Sequence, residues 1–126
     1  MKILRYTVLI VTILYWMLIL MMTHLPRPPR IGPSMNDKQA HLIGYSILAS
    51  LMYLSLWATR PRLRWTWLYA AAIVLAYGAL DEWTQPLTGR TCDIYDWLAD
   101  LVGVAVAISV LAGLRYCLIA CRLEKR

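Results

Sequence analysis

Two sets of residues in this chain could do chemistry. The denser set runs Asp81-Glu82-Trp83-Thr84-Gln85, then Gly89-Arg90-Thr91-Cys92-Asp93, then Asp96-Trp97-Leu98-Ala99-Asp100-Leu101-Val102-Gly103, and it holds five carboxylates and one guanidinium. The other set is Lys38, His41 and Tyr45, which are three and four residues apart and so share one face of a helix. By the same rule Asp81 and Gln85 share a face, and so do Asp96, Asp100 and Gly103. His41, Glu82, Asp81 and Asp96 are the candidates for acid–base work, because imidazole and carboxylate groups can take and return protons. Lys38, Tyr45, Gln85, Arg90, Asp93 and Asp100 are the candidates for binding a ligand, with Lys38 and Arg90 suited to a phosphate or carboxylate.

The same residues could instead form an ion-paired lid, with Arg90 bridging Asp93 and Asp96 and Lys38 holding Asp37 or Asp81. Against that stands an excess of acid: Asp37, Asp81, Glu82, Asp93, Asp96 and Asp100 face only Arg27, Arg30, Lys38 and Arg90. Crowded carboxylates share protons or recruit a cation, and both are common at functional sites. Carboxylate oxygens suit Mg²⁺ or Ca²⁺, and His41 would admit Zn²⁺. The spacing follows no established metal motif, so neither a metal nor any other cofactor is assigned. No nucleophile elbow, phosphate loop or paired-cysteine signature occurs. Cys92 lies in the acidic loop and Cys117 and Cys121 lie four apart near the C-terminus, a pattern that reads as free thiols.

The elements that must position these groups are apolar. Of the 126 residues 60% are hydrophobic, with six Trp and no Phe, which does not describe a water-soluble domain of this size. The net charge of +6 comes from basic residues placed between apolar runs, so lipid headgroups explain it better than nucleic acid does. The runs predict four transmembrane helices, at about 4–23, 38–59, 65–85 and 96–121, in one all-α domain covering residues 1–126. The first follows Lys2 and Arg5 and has no small-residue cleavage site after Met22, so it reads as a retained helix and not as a cleaved signal. A Pro-rich connector from Pro26 to Pro33 separates it from the second, which Asn36 or Asp37 can cap. The third is short unless it continues through Asp81 and Glu82 to Gln85, ahead of Pro86. In the fourth, Ala99-Gly103-Ala107 and Ala105-Ser109-Gly113 would admit close helix neighbours, and Arg115 is near enough to the end to snorkel. Trp57, Trp65 and Trp67 at one face and Trp83, Tyr95 and Trp97 at the other read as interfacial anchors. Proton or cation transport is disfavoured, because these helices show no polar residue at mid-depth.

Orientation follows from the basic residues. Lys2, Arg5, Arg60, Arg62, Arg64, Arg115, Arg122, Lys125 and Arg126 fall on one side, and only Arg27, Arg30, Lys38 and Arg90 on the other. The positive-inside rule then makes both termini cytoplasmic and puts the acidic and basic cluster on the extracytoplasmic side. A site there can meet envelope substrates and not cytosolic ATP.

In order along the chain, the Leu25-Pro26 turn, Asp37-Lys38 with His41 and Tyr45, Glu82 with Gln85, Gly89-Arg90, Asp93, Asp96 and Gly103 resemble the VanZ-like family, named for a protein associated with resistance to the glycopeptide teicoplanin. The resemblance implies a multi-spanning protein of the cell membrane that acts at the envelope. Its partners would be membrane lipids and a lipid-linked cell-wall precursor, with no nucleic acid and with oligomerisation left open. One position departs from the family pattern, which has Asn where this chain has Asp100. An ionised carboxylate there can only accept hydrogen bonds, whereas an amide also donates. Two function classes stand on this footing: a site that binds or modifies an anionic envelope component, lowering glycopeptide susceptibility, and a non-catalytic scaffold whose polar cluster is an ion-pair network.

Overall fold

The computed structural model describes residues 2–26 and 36–124. Most of the Pro-rich connector, including Arg27 and Arg30, and the terminal Lys125 and Arg126 lie outside the described residues. Four α-helices and no strand occur among the described residues: α1 (Lys2–His24), α2 (Asp37–Thr59), α3 (Thr66–Thr84) and α4 (Ile94–Glu124). A 3-10 turn, Gln85–Thr88, follows α3.

Local sequence explains the helix ends. Asn36 caps α2 with a reciprocal pair of bonds, its side chain accepting from the Gln39 amide at 2.8 Å and its own amide donating to Gln39 Oε1 at 3.1 Å. The expectation that α3 runs to Gln85 is off by one residue, because Pro86 cannot continue the α-helical ladder and the chain tightens into the 3-10 turn. Gly89 closes that turn at φ 81°, a left-handed conformation that favours glycine. α4 begins two residues earlier than expected, at Ile94.

The helices alternate in direction, and α2 sits at the centre, packed on α1, α3 and α4. The core is made by Tyr45, Leu48, Ala49, Met52 and Tyr53 of α2, Ala70 and Val74 of α3, and Val104, Ala107 and Ile108 of α4. Where α2 and α4 cross, Gly103 lets the backbones meet: a Cβ there would collide with the Leu42 carbonyl oxygen and lie 2.7 Å from Ser46 Oγ. The first small-residue stripe therefore packs through Gly103 and Ala107. Ala105, Ser109 and Gly113 of the second face outward instead, and nothing lies within 4 Å of a Cβ built on Gly113.

Large apolar side chains cover the outside. Leu14, Met17, Val106, Val110 and Leu114 are among many that are more than half exposed, while Thr12 and Thr23 are the buried residues of α1. Polar and small residues inside with aliphatic ones outside is the arrangement expected in lipid, where apolar surface need not be hidden. Three helices, Lys2–His24, Asp37–Thr59 and Ile94–Cys121, are long and apolar enough to cross a membrane. Within the bundle Thr12 and Ser55 share a hydrogen bond of 2.7 Å. The expectation of no polar residue at mid-depth is thus corrected by this hydroxyl pair.

At the end opposite the acidic cluster, Arg115 does more than snorkel. It donates to Thr66 Oγ1 at 3.0 Å and to the Pro61 carbonyl at 3.1 Å, and its guanidinium lies 5.4 Å from the centre of the Trp57 ring. Trp57 is therefore a packing partner. So is Trp97, whose indole donates to the Leu75 carbonyl at 3.2 Å, while Trp65, Trp67, Trp83 and Tyr95 remain exposed as anchors should.

Candidate functional site

The last turns of α1 and α3 and the first turns of α2 and α4 meet at one end, and every sequence-predicted site residue comes from those turns or from the loop joining α3 to α4. They divide into an outer and an inner layer.

The outer layer is ion-paired. Lys38 Nζ lies 2.7 Å from Asp93 Oδ2 and 2.9 Å from Asp96 Oδ1, and Arg90 Nη2 lies 2.7 Å from Asp37 Oδ2. The pairing is the reverse of the expected one: Arg90 holds Asp37, and Lys38 holds the two α4-side carboxylates. Helix periodicity sets faces but not the register between helices, and it is the register that decides these partners. The Lys38 ammonium holds the Asp93 carboxyl below the usual carboxylate range. The loop is tied inward by the Asp93 amide, which donates to Glu82 Oε2 at 3.1 Å.

The inner layer is buried. His41 Nδ1 lies 3.0 Å from Asp100 Oδ1 and 3.8 Å from Glu82 Oε1, and its ring stacks on Tyr45 with centres 5.9 Å apart. Gln85 Nε2 donates to Glu82 Oε1 at 3.1 Å and to Asp81 Oδ2 at 3.4 Å. Asp81 is within neither Lys38's, Arg90's nor His41's salt-bridge reach. It accepts from Thr23 at 2.8 Å, Tyr45 at 3.1 Å and Tyr77 at 3.3 Å, and His24 Nδ1 lies 3.5 Å away. Thr23, His24 and Tyr77 were missed as members of the cluster. Tyr77 had a signal, standing four residues before Asp81 on the same face. Thr23 and His24 had none, because only the packing of α1 brings its last turn against α3, where His24 Nε2 also lies 3.0 Å from Thr84 Oγ1.

Two buried atoms in this layer find no hydrogen-bond partner among the described residues, Gln85 Oε1 and Asp100 Oδ2. Gln85 and Asp100 are each fully shielded from solvent, and such orphaned acceptors are costly. Gly78 makes the room for Asp100, since a Cβ there would come within 3.1 Å of Oδ2. Two groups of side chains are spaced as metal ligands: Asp37, His41 and Asp96, and His41, Glu82 and Asp100. Chemically, the layer offers an imidazole oriented by one carboxylate and approached by a second, next to an exposed Lys38 and a largely shielded Arg90.

No family model, curated protein or solved structure matches the chain.

Proposed function

We propose that the chain is a VanZ-like integral protein of the cell membrane, with four spans and both termini cytoplasmic, whose extracytoplasmic site binds or modifies an anionic envelope component such as a lipid-linked or peptidoglycan precursor and thereby lowers susceptibility to teicoplanin. The observation that carries this reading is the meeting of two layers at one end of the bundle: Lys38 and Arg90, held by Asp93, buried Asp96 and Asp37, beside buried His41 and Glu82. An arriving phosphate or carboxylate would displace Asp93 and Asp37 from the two cations, one charge-assisted pair for another. His41, positioned by Asp100, and Glu82 would then face the bound group for proton transfer. α3 supports the fourth span: its 19 residues reach about 28 Å at 1.5 Å each, and it lies antiparallel between helices of spanning length. A scaffold is the second reading. It is favoured by the cations already having carboxylate partners and by the complete hydrogen bonding of Asp81.

Arg90→Lys and Asp37→Asn separate the readings, because the first keeps a cation for Asp37 but loses the forked guanidinium, whereas the second removes the carboxylate and keeps the guanidinium. Asp37 is half exposed while Arg90 is largely shielded, so the pair contributes on the order of 1 kcal/mol and both variants should fold. On the site reading, Arg90→Lys weakens binding of a lipid-linked precursor to the protein in nanodiscs by roughly tenfold, and teicoplanin susceptibility of expressing cells rises. Asp37→Asn keeps or tightens that binding. If the two variants behave alike, the anion site is wrong and the scaffold stands.

Sidedness has its own check. Cys92 is exposed at the site end and Cys117 and Cys121 are exposed toward the other. A membrane-impermeant maleimide should label Cys92 in intact cells and leave Cys117 and Cys121 for labelling after lysis. The reverse pattern would place the site in the cytoplasm and remove the envelope function.

A further inference from the structure

We infer that His41, Glu82 and Asp100 form a binding site for one divalent transition-metal ion, with Zn²⁺ the best chemical fit. One ligand atom from each of these three buried side chains lies within 4.8 Å of the others. A tetrahedral ion with bonds of about 2.0–2.1 Å sets its ligand atoms roughly 3.3 Å apart. The separations from His41 Nδ1, 3.0 Å to Asp100 Oδ1 and 3.8 Å to Glu82 Oε1, bracket that value.

Two further observations point to a cation at this place. The Gln85 amide is aimed at the same point, with Nε2 3.1 Å from Glu82 Oε1, yet its own Oε1 meets no donor. Turning the amide over would present that oxygen to Glu82, an arrangement that is repulsive alone and favourable with a cation between them. Asp100 Oδ2 is the other orphaned acceptor, and it belongs to one of the three ligands. Charge gives the second observation. Lys38 is shared by Asp93 and Asp96, one positive charge for two carboxylates, and Arg90 pairs with Asp37, so among the described residues Glu82 and Asp100 are left with only His41 between them. In the alternative group, Asp37 with His41 and Asp96, both carboxylates already sit against a cation, Arg90 and the shared Lys38.

An imidazole beside two carboxylates suits a borderline ion; Mg²⁺ and Ca²⁺ prefer all-oxygen sites. On binding, the proton shared by His41 Nδ1 and Asp100 Oδ1 leaves to solvent, and the imidazole lone pair takes the metal. The remaining position would be filled by Gln85 Oε1 or by water. This inference concerns the same residues as the function proposed above but does not depend on it: with metal bound, His41 and Glu82 would serve as ligands in place of proton transfer, and metal uptake is read directly and the envelope phenotype separately.

The test uses the full chain in detergent with Cys92, Cys117 and Cys121 changed to Ser, since exposed thiols bind zinc by themselves. After chelator treatment and dialysis, Zn²⁺ should bind at one per chain by elemental analysis and raise the thermal transition. Asp100→Asn and Glu82→Gln, which are near-isosteric, should weaken binding by more than about a hundredfold, beyond what losing an outer partner costs. Asp37→Asn should leave it unchanged. Co²⁺ added to the protein with all three ligands intact should give visible d–d absorption of a tetrahedral site, a readout that needs no ligand variant to fold. Absence of that absorption, uptake lost with the cysteines, or full uptake by Asp100→Asn would each overturn the site.

Discussion

His41→Leu should destabilise the metal-free protein by about 3–5 kcal/mol in equilibrium denaturation in detergent, among the largest effects of any single side chain here. Leucine fills much of the imidazole's space, so the loss is not one of packing. It comes from what remains: Asp100, fully buried, loses the only donor to Oδ1 while Oδ2 already has none, and Glu82 loses its nearest positive partner. Replacing both members of a buried pair by apolar groups is often neutral, whereas removing one is not. The double variant His41→Leu with Asp100→Leu should therefore be more stable than His41→Leu alone, and a double-mutant cycle should return a coupling of more than about 1 kcal/mol. Asp100→Asn on its own should cost little, because the amide can still accept from His41 and its NH₂ group takes the place of an oxygen that has no donor. A His41→Leu protein within 1 kcal/mol of the parent would mean that this cluster carries no appreciable buried charge.

Much of this site was legible because the sequence leaves its charges few places to go. In a chain that is mostly apolar, Asp81, Glu82, Asp96 and Asp100 near helix ends must turn toward one another, and spacing of three and four residues named the faces on which they do so. Capping chemistry narrowed the start of α2 to Asn36 or Asp37, and Pro86 placed the end of α3 to within a residue. What could not be read was anything that depends on how far one helix slides along the next. That slide gives Lys38 to Asp93 and Asp96, gives Arg90 to Asp37, and decides that Gly103 is a contact while Gly113 is not. α1 was the least legible element. Its composition marks it only as apolar, yet Thr12, Thr23 and His24 fix it to Ser55, Asp81 and Thr84 through single hydrogen bonds that no periodicity announces.

The second large effect is expected at that contact. Gly103→Val should destabilise the protein by about 3 kcal/mol, above the middle of the range for overpacking, because the atom in the way is a backbone carbonyl. A crowded side chain can change rotamer, but the Leu42 carbonyl is held in the α2 ladder and cannot move without the helix. The helices must then part. Leu42 follows His41 directly and Gly103 lies one turn after Asp100, so separation here also stretches the 3.0 Å His41–Asp100 contact. A change buried in the packing, with no ionisable atom of its own, should thus disturb the site in step with stability. Gly113→Val is the control, since a Cβ at that position has open space. It should leave both stability and metal uptake near the parent values, and Gly103→Ala should fall between the two valine variants. If Gly103→Val lowers the denaturation midpoint no more than Gly113→Val does, then the approach of α2 to α4 is looser than the geometry indicates, and the coupling between packing and the polar layer fails with it.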